Sequence, residues 1–375
     1  DEGLALFYLR NGDFRSGNDL KTALFCSGRI RSVDCLIYSV LVKHADTVHL
    51  LDHCLRCFAL TAALCSLFVP LRRVLERREQ NQQPAQSEQP RPAPLRAPLW
   101  GGLCAAAGTV AAVGVGWLAA CVGQPELLGS EGRLMTRLLT ALAGSLAFGA
   151  VGLAEDLARM RSPAALGLRR DVRLLLEALA AAFVLLLLRA AGCLPRGLGV
   201  PGAGYVLLGS AVPFLWAVLM VALAECARIA ERDEGTVCGA AFVAMLALMM
   251  AEAGLGVPGL AVLPAALAGA LVALGLWAFP PARLGVGCCG SLLAAGAIGC
   301  IPLSLDMTSL TVPLALPFWA AGGLLAAQLL GAKRTGKPLR CWVKKHKMSP
   351  ETVFLCSFAL SAVGYVLALA LLRWC

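Results

Sequence analysis

Residues 224–239 read AECARIAERDEGTVCG and lie between two apolar runs, 205–223 and 240–251. Glu225, Arg228, Glu231, Arg232, Asp233 and Glu234 crowd into this short stretch. Charged residues at a bilayer boundary are expensive and are kept in such density for function more than for packing. The stretch therefore decides the fold class: an all-α, polytopic membrane helix bundle whose charged loops gather on one side.

The rest of the chain supports that reading. It has 375 residues, 58% hydrophobic and 15% charged, against about 25% charged in an ordinary soluble domain. Apolar runs of about 20 residues, the length that crosses a hydrocarbon core, recur from residue 99 onward. The net charge of +10 reads as Lys and Arg collected in cytoplasmic loops, and no nucleic-acid motif accompanies it. The 16 Cys are scattered through apolar segments and read as small buried hydrophobes, not a disulfide framework. The chain begins Asp1-Glu2-Gly3, which reads as a truncated or appended start.

Spans are expected at 57–69, 99–122, 135–153, 174–188, 205–223, 240–254, 260–279, 287–303, 311–330 and 352–372, about ten in all. Residues 1–47 read as an extension of unclear role, and 48–375 as the membrane domain. His49, His53, Cys54 and Cys57 have a spacing that suits zinc, but one helix rarely closes a tetrahedral site, so a plain helix start is the preferred reading. The loops alternate. Arg72 to Arg96, Arg159 to Arg173, Arg228 with Arg232, Arg283, and Lys333 to Lys347 form a basic set. The loops between them are short and poor in base. The positive-inside rule puts the basic set in the cytoplasm, and an even number of spans leaves both termini outside. A Gln/Pro-rich piece near residues 80–94 reads as a flexible loop.

Every acidic cluster falls on the basic side. Glu155-Asp156 ends one span, Glu225 to Glu234 follow another, GVGCCGS occupies 285–291, and AKRTGKPLRCWVKKHKM occupies 332–348. Carboxylates and bases meeting at a membrane face suit a phosphorylated substrate, with Mg²⁺, meeting a lipid. A single acidic pair at a helix end is as readily a solvated cap. A transporter would show an inverted repeat or a broken mid-membrane helix, and neither is evident.

Order and spacing bring in a resemblance. APLWGGL at 97–103 is similar to T-P-T-M-G-G-L, keeping Pro98, Gly101 and Gly102. Residues 149–160 resemble G-x-I-G-F-x-D-D-Y-x-K-V, with Glu155, Asp156 and Arg159 at the D, D and K positions. GLRRDVRLLLE at 167–177 resembles G-L-x-x-x-x-K-x-x-x-Q, with Arg173 and Glu177 last. The opening stretch aligns with N-A-x-N-L-T-D-G-L-D-G: Glu225 and Arg228 take the Asn positions, Glu231 and Glu234 the Asp positions, and Gly235 is kept. WAFPPARLGVGCCGS at 277–291 follows F-N-x-x-P-A-x-x-F-M-G-D-x-G-S, KRTGK at 333–337 follows K-L-T-G-K, and His346 opens the place of a triple His. These are motifs of the phospho-N-acetylmuramoyl-pentapeptide transferase (translocase I) family, within the polyprenyl-phosphate sugar-1-phosphate transferases.

The resemblance implies transfer of phospho-N-acetylmuramoyl-pentapeptide from a uridine nucleotide to undecaprenyl phosphate, with release of UMP, in peptidoglycan precursor synthesis at a bacterial cytoplasmic membrane. It implies Mg²⁺ as cofactor, with Asp156 and Glu231 as metal ligands and Glu155, Asp156 and Glu231 as catalytic groups. Arg173, Glu225, Arg228, Glu234, Gly235 and His346 would bind substrate. Expected partners are polyprenyl phosphate lipid, a uridine nucleotide sugar and the membrane, with a homodimer as the assembly considered and no nucleic acid.

The departures are specific. Glu155, Glu231 and Glu234 each add a methylene to an Asp, moving the carboxylate by roughly 1 Å, a displacement that can cost on the order of 10²-fold in rate. Cys288 stands where the family has its metal-binding Asp, and a thiol is a soft ligand that Mg²⁺ does not favour. Ala278 replaces an Asn, and Lys347 and Met348 break the His run. Two readings stay open: a transferase, and a catalytically silent paralogue that binds polyprenyl lipid or a cell-wall partner.

Overall fold

Helices account for nearly all of the described backbone, as the apolar runs require. A computed structural model of the chain describes residues 59–60, 63, 101–123, 132–161, 167–195, 197–200, 204–207, 209, 211–231, 236–255, 260–279, 285–330 and 350–374, all within the unit His53–Cys375. The expected extension at 1–47, the His49–Cys57 spacing, nearly all of the first expected span and the loops at 72–96 and 333–347 lie outside the described residues.

In chain order the helices are α1 (Gly101–Gly123), α2 (Gly132–Arg161), α3 (Arg170–Ala190), α4 (Ala211–Ala230), α5 (Thr236–Gly254), α6 (Val262–Ala278), α7 (Gly287–Ser304), a four-residue α8 (Thr311–Leu314), α9 (Leu316–Leu330) and α10 (Pro350–Trp374). Five stretches are long and apolar enough to cross a membrane: Gly101–Leu118, Leu134–Met160, Ala211–Ala230, Gly287–Ser304 and Thr352–Leu372. Thr236–Glu252 and Val262–Ala278 are shorter apolar helices. The chain is a polytopic membrane helix bundle; the total of ten spans and the outside position of the termini stand as expectations.

The bundle is organised around α7. Its sequence, GCCGSLLAAGAIGCIPLS, is apolar on every side and rich in small residues, and all of it is buried. A helix without a polar face belongs in the middle, and small residues let neighbours approach closely where lipid offers no hydrophobic drive for association. Its most extensive partner is α2, and α1, α4 and α5 also pack against it. Between α2 and α7 the backbones are closest at Gly152, where a Cβ would sit 2.2 Å from the Cys288 carbonyl oxygen. On the other flank Trp216 Nε1 of α4 donates to the Gly299 carbonyl at 3.2 Å. At the periphery, α10 keeps Leu355, Val363 and Val366 exposed, as a lipid-facing helix does. Cys104, Cys238, Cys288, Cys289 and Cys300 are buried free thiols, as expected of small hydrophobes.

Several boundaries differ from the sequence reading, the helix expected at 135–153 running to Arg161. The expected span 205–223 is replaced by a helix at Ala211–Ala230, because Gly204–Leu207 instead pairs antiparallel with Gly197–Val200 in a two-stranded hairpin. A four-residue apolar run is too short for periodicity to tell strand from helix. The same shift carries Glu225 and Arg228 onto the last turns of α4 rather than into the turn beyond it. The expected single span 311–330 is broken at Ala315. Pro317 has no N–H to give the Pro313 carbonyl four residues back, and Gly364 of α10 packs so close that a Cβ would meet that carbonyl oxygen at 2.2 Å.

Candidate active site

The C-terminal end of α2, the start of α3, the end of α4 and the start of α7 meet at one end of the bundle. Gly101 at the start of α1 joins them, its N–H donating to the Gly285 carbonyl at 3.2 Å. The up-and-down path of the helices forces this: loops after α2, α4 and α6 leave from the same end. Charges that are distant in sequence therefore become neighbours.

Glu155, Asp156 and Arg159 occupy the last turns of α2. Asp156 points at the start of α7, where its Oδ1 accepts the Cys288 N–H at 3.0 Å and its Oδ2 accepts the Cys289 N–H at 2.9 Å. Those amides belong to the first turn of a helix and have no intrahelical partner; the carboxylate satisfies both and also meets the positive end of the helix dipole. Asp156 is thus a cap supplied by another helix, and it is buried.

Arg159 lies at the centre of the acidic groups. Its Nη2 donates to Glu155 Oε1 at 2.6 Å, one helical turn back. Its Nη1 is 3.7 Å from Asp156 Oδ1 and 3.9 Å from Glu231 Oε2. Cys288 Sγ is 3.8 Å from Glu231 Oε2, which closes the group. Gly167, with φ +70°, passes over this point; a Cβ on it would lie 3.1 Å from Arg159 Cγ.

A second set of charges adjoins the first through α3. Arg173 Nε donates to Glu225 Oε1 at 2.7 Å, and Arg228 Nη2 donates to Glu225 Oε2. Arg173 Nη1 is 3.8 Å from Glu155 Oε1, linking the two sets. Glu177, one turn further along α3, is buried with neither oxygen hydrogen-bonded; Arg173 Nε stands 4.0 Å away.

Of the residues expected from sequence, Glu155, Asp156, Arg173, Glu225, Arg228, Glu231 and Cys288 come together here. Glu234, Gly235 and His346 lie outside the described residues. Arg159 falls on a motif that implies no role for it, although its position four residues after Glu155 on a helix is a signal for an ion pair. The backbone amides of Cys288 and Cys289 carry no such signal.

Among the described residues the donor set does not suit Mg²⁺, which takes near-octahedral oxygen coordination. Both Asp156 oxygens are engaged by backbone amides, Glu155 Oε1 holds Arg159, and the place of a third carboxylate is a thiol. Among the described residues no group of three or more His, Cys, Asp or Glu side chains is arranged to hold a metal. What the arrangement offers is guanidinium: Arg159, Arg173 and Arg228 at the mouth of an apolar bundle, each steadied by carboxylates, as recognition of phosphate requires.

Comparison with known proteins agrees in direction. A phospho-N-acetylmuramoyl-pentapeptide-transferase of Synechococcus sp. (strain RCC307) is 30% identical over 212 residues, 56% of this chain and 55% of that protein. The chain thus spans about half the length of the curated relative it matches. Residues 138–306 match the profile of glycosyl transferase family 4, a stretch that opens inside α2 and closes just past α7. The helices that carry the charged end are therefore the ones in which this chain is similar to glycosyl transferase family 4.

Proposed function

We propose that the chain is a sugar-1-phosphate transferase-like protein of a bacterial cytoplasmic membrane, acting on a uridine nucleotide sugar and a polyprenyl phosphate. The finer reading is transfer of phospho-N-acetylmuramoyl-pentapeptide to undecaprenyl phosphate. A lipid phosphate oxygen would form a bond to the sugar-bearing phosphorus of the nucleotide as the diphosphate P–O bond breaks and UMP leaves. No general base is required, since a phosphate monoester with a second pKa of about 6 is largely dianionic at neutral pH. The demand on the protein is positioning and charge stabilisation of the transferring phosphoryl group.

The observation that carries this reading is the set of three arginines and five acids, buried or half-buried, at one end of an apolar bundle, within the stretch the family matches. Arg159, Arg173 and Arg228 would hold phosphate oxygens. Glu225 fixes two of these guanidiniums at once, and Glu231 borders the third. Asp156 acts by holding the start of α7 in place, a positioning role. The described residues supply no argument for a homodimer.

A second reading, a silent paralogue that binds polyprenyl lipid, is favoured by one feature: the commitment of both Asp156 oxygens to backbone amides, with Cys288 beside them. The deciding experiment is transfer of radiolabel from a uridine nucleotide sugar to undecaprenyl phosphate by the purified chain in detergent. Label in the lipid phase with UMP release supports the transferase. Binding of the lipid without transfer, across several nucleotide sugars, supports the paralogue.

A further inference from the structure

A cation already occupies the middle of the acidic site, and it belongs to the chain. Glu155 and Asp156 come from α2, and Glu231 from the residue after α4. All three carboxylates turn toward the Arg159 guanidinium, at 2.6, 3.7 and 3.9 Å. This is the ground a divalent ion would take if the same carboxylates were to ligate it. Two positive groups cannot share it, and the guanidinium is tethered.

We propose that Arg159 is the resident cation of this site, standing where a divalent ion would stand, and that it meets a phosphate oxygen of the substrate directly. Naming phosphate as the ligand rests on the function proposed above; the claim about the cation does not.

Accessibility favours that assignment. The Arg159 side chain is 21% exposed while those of Glu155 and Asp156 are 4% and 1%, so an incoming anion reaches the guanidinium and not the carboxylates behind it. The guanidinium has five N–H donors. Among the described residues one of them makes a hydrogen bond, to Glu155 Oε1; the Nη1 contacts are too long for hydrogen bonds. A cation gripped by acids on its inner side, with donors left on its outer side, reproduces what a ligated metal with open positions provides.

The neighbours fit a fixed arginine. Gly167 lies over the stem, its Cβ position 3.1 Å from Arg159 Cγ and 3.3 Å from Nε, so a side chain there would crowd the guanidinium. Cys288, uncharged where an acid would attract a metal, leaves the local charge suited to one monovalent cation.

Two measurements on the full chain in detergent test the proposal, with Mn²⁺ as a paramagnetic probe for a hard divalent ion and pyrophosphate as the phosphate probe. By electron paramagnetic resonance, the wild type shows no stoichiometric Mn²⁺ site at micromolar metal, whereas the double variant Arg159→Met with Cys288→Asp acquires one. In EDTA, the wild type binds pyrophosphate, Arg159→Met weakens it by about tenfold or more, the scale of one lost charge-assisted hydrogen bond, and Arg159→Lys restores part of it. A micromolar Mn²⁺ site in the wild type overturns the proposal, as does pyrophosphate binding that requires metal or ignores Arg159→Met. Should Arg159→Met fail to fold, the two wild-type measurements and Arg159→Lys still decide. Failure of label transfer would sink the transferase reading and leave these outcomes untouched.

Discussion

Two sets of charges share one end of the bundle and are built differently. In the set around α2 and α7, Glu155, Asp156 and Glu231 surround a single Arg159, and the best hydrogen bonds of Asp156 go to the backbone of another helix. In the set on α3 and α4, Glu177 and Glu225 face Arg173 and Arg228, side chain to side chain. The first set joins two helices and would be costly to remove. The second is a lattice of ion pairs, whose desolvation cost offsets much of its attraction. Stability is expected to depend on the first, and the choice of ligand on the arginines of both.

The largest effect should come from Asp156→Ala. It leaves the Cys288 and Cys289 amides buried without an acceptor, at about 1–3 kcal/mol each, and exposes the start of α7 to its own dipole. A loss of about 3–5 kcal/mol, read by denaturant titration in detergent, or failure to accumulate folded protein, is the expected result. Asp156→Asn should recover part of it, because one oxygen remains. A fully stable Asp156→Ala would show that α7 does not need this cap and would erase the contrast between the two sets.

Next in size is Glu225→Ala, which leaves Arg173 and Arg228 without their common acceptor. Removing one partner of a buried pair typically costs about 3–5 kcal/mol. Glu225 is partly exposed, so screening by solvent reduces the expectation to about 1–2 kcal/mol. Affinity for a phosphate probe should fall further than stability, because both guanidiniums lose their orientation. A large stability loss with unchanged affinity would assign this set to the scaffold instead.

What sequence revealed, and what it did not, follows the same division. Side chains announce themselves by spacing, so the order of the charged motifs placed Glu155, Arg173, Glu225 and Glu231 near one another before any coordinates. The apolar periods placed α5, α6 and α7 to within a few residues. Backbone groups have no letter in a sequence, which is why the engagement of Asp156 by two amides of α7 was not legible. Short runs are ambiguous too: Gly204–Leu207 reads as the start of a span until its pairing with Gly197–Val200 is seen. Arg159 was visible as a basic residue in a motif, but its central place depends on Glu231 arriving from another helix.

A comparable effect is expected at Gly167. Its φ of +70° is uncomfortable for any residue with a Cβ, costing about 1–2 kcal/mol, and the added methyl would press on Arg159 Cγ. Gly167→Ala should therefore lower stability by about that amount while weakening phosphate binding through a displaced Arg159. Unchanged binding would show that the backbone at residue 167 does not hold the guanidinium.

The smallest effect, and the sharpest test of the comparison, is Glu177→Gln. Glu177 is fully buried, neither oxygen has a hydrogen bond, and its nearest cation is 4.0 Å away. A carboxylate so placed carries a desolvation cost that one distant guanidinium only partly offsets. Gln fills the same volume, cannot ionise and adds two donors that can reach a neighbouring carbonyl. Stability should shift by less than about 1 kcal/mol, in the favourable direction. Glu225→Gln, by contrast, replaces one of two accepting oxygens with an NH2 group that faces a guanidinium and should be clearly unfavourable. The two variants sit in the same set and make the same substitution, so the difference between their denaturation midpoints reports hydrogen bonding and burial together. If Glu177→Gln costs as much as Glu225→Gln, then Glu177 holds Arg173 through more than distance suggests, and the second set is as tightly built as the first.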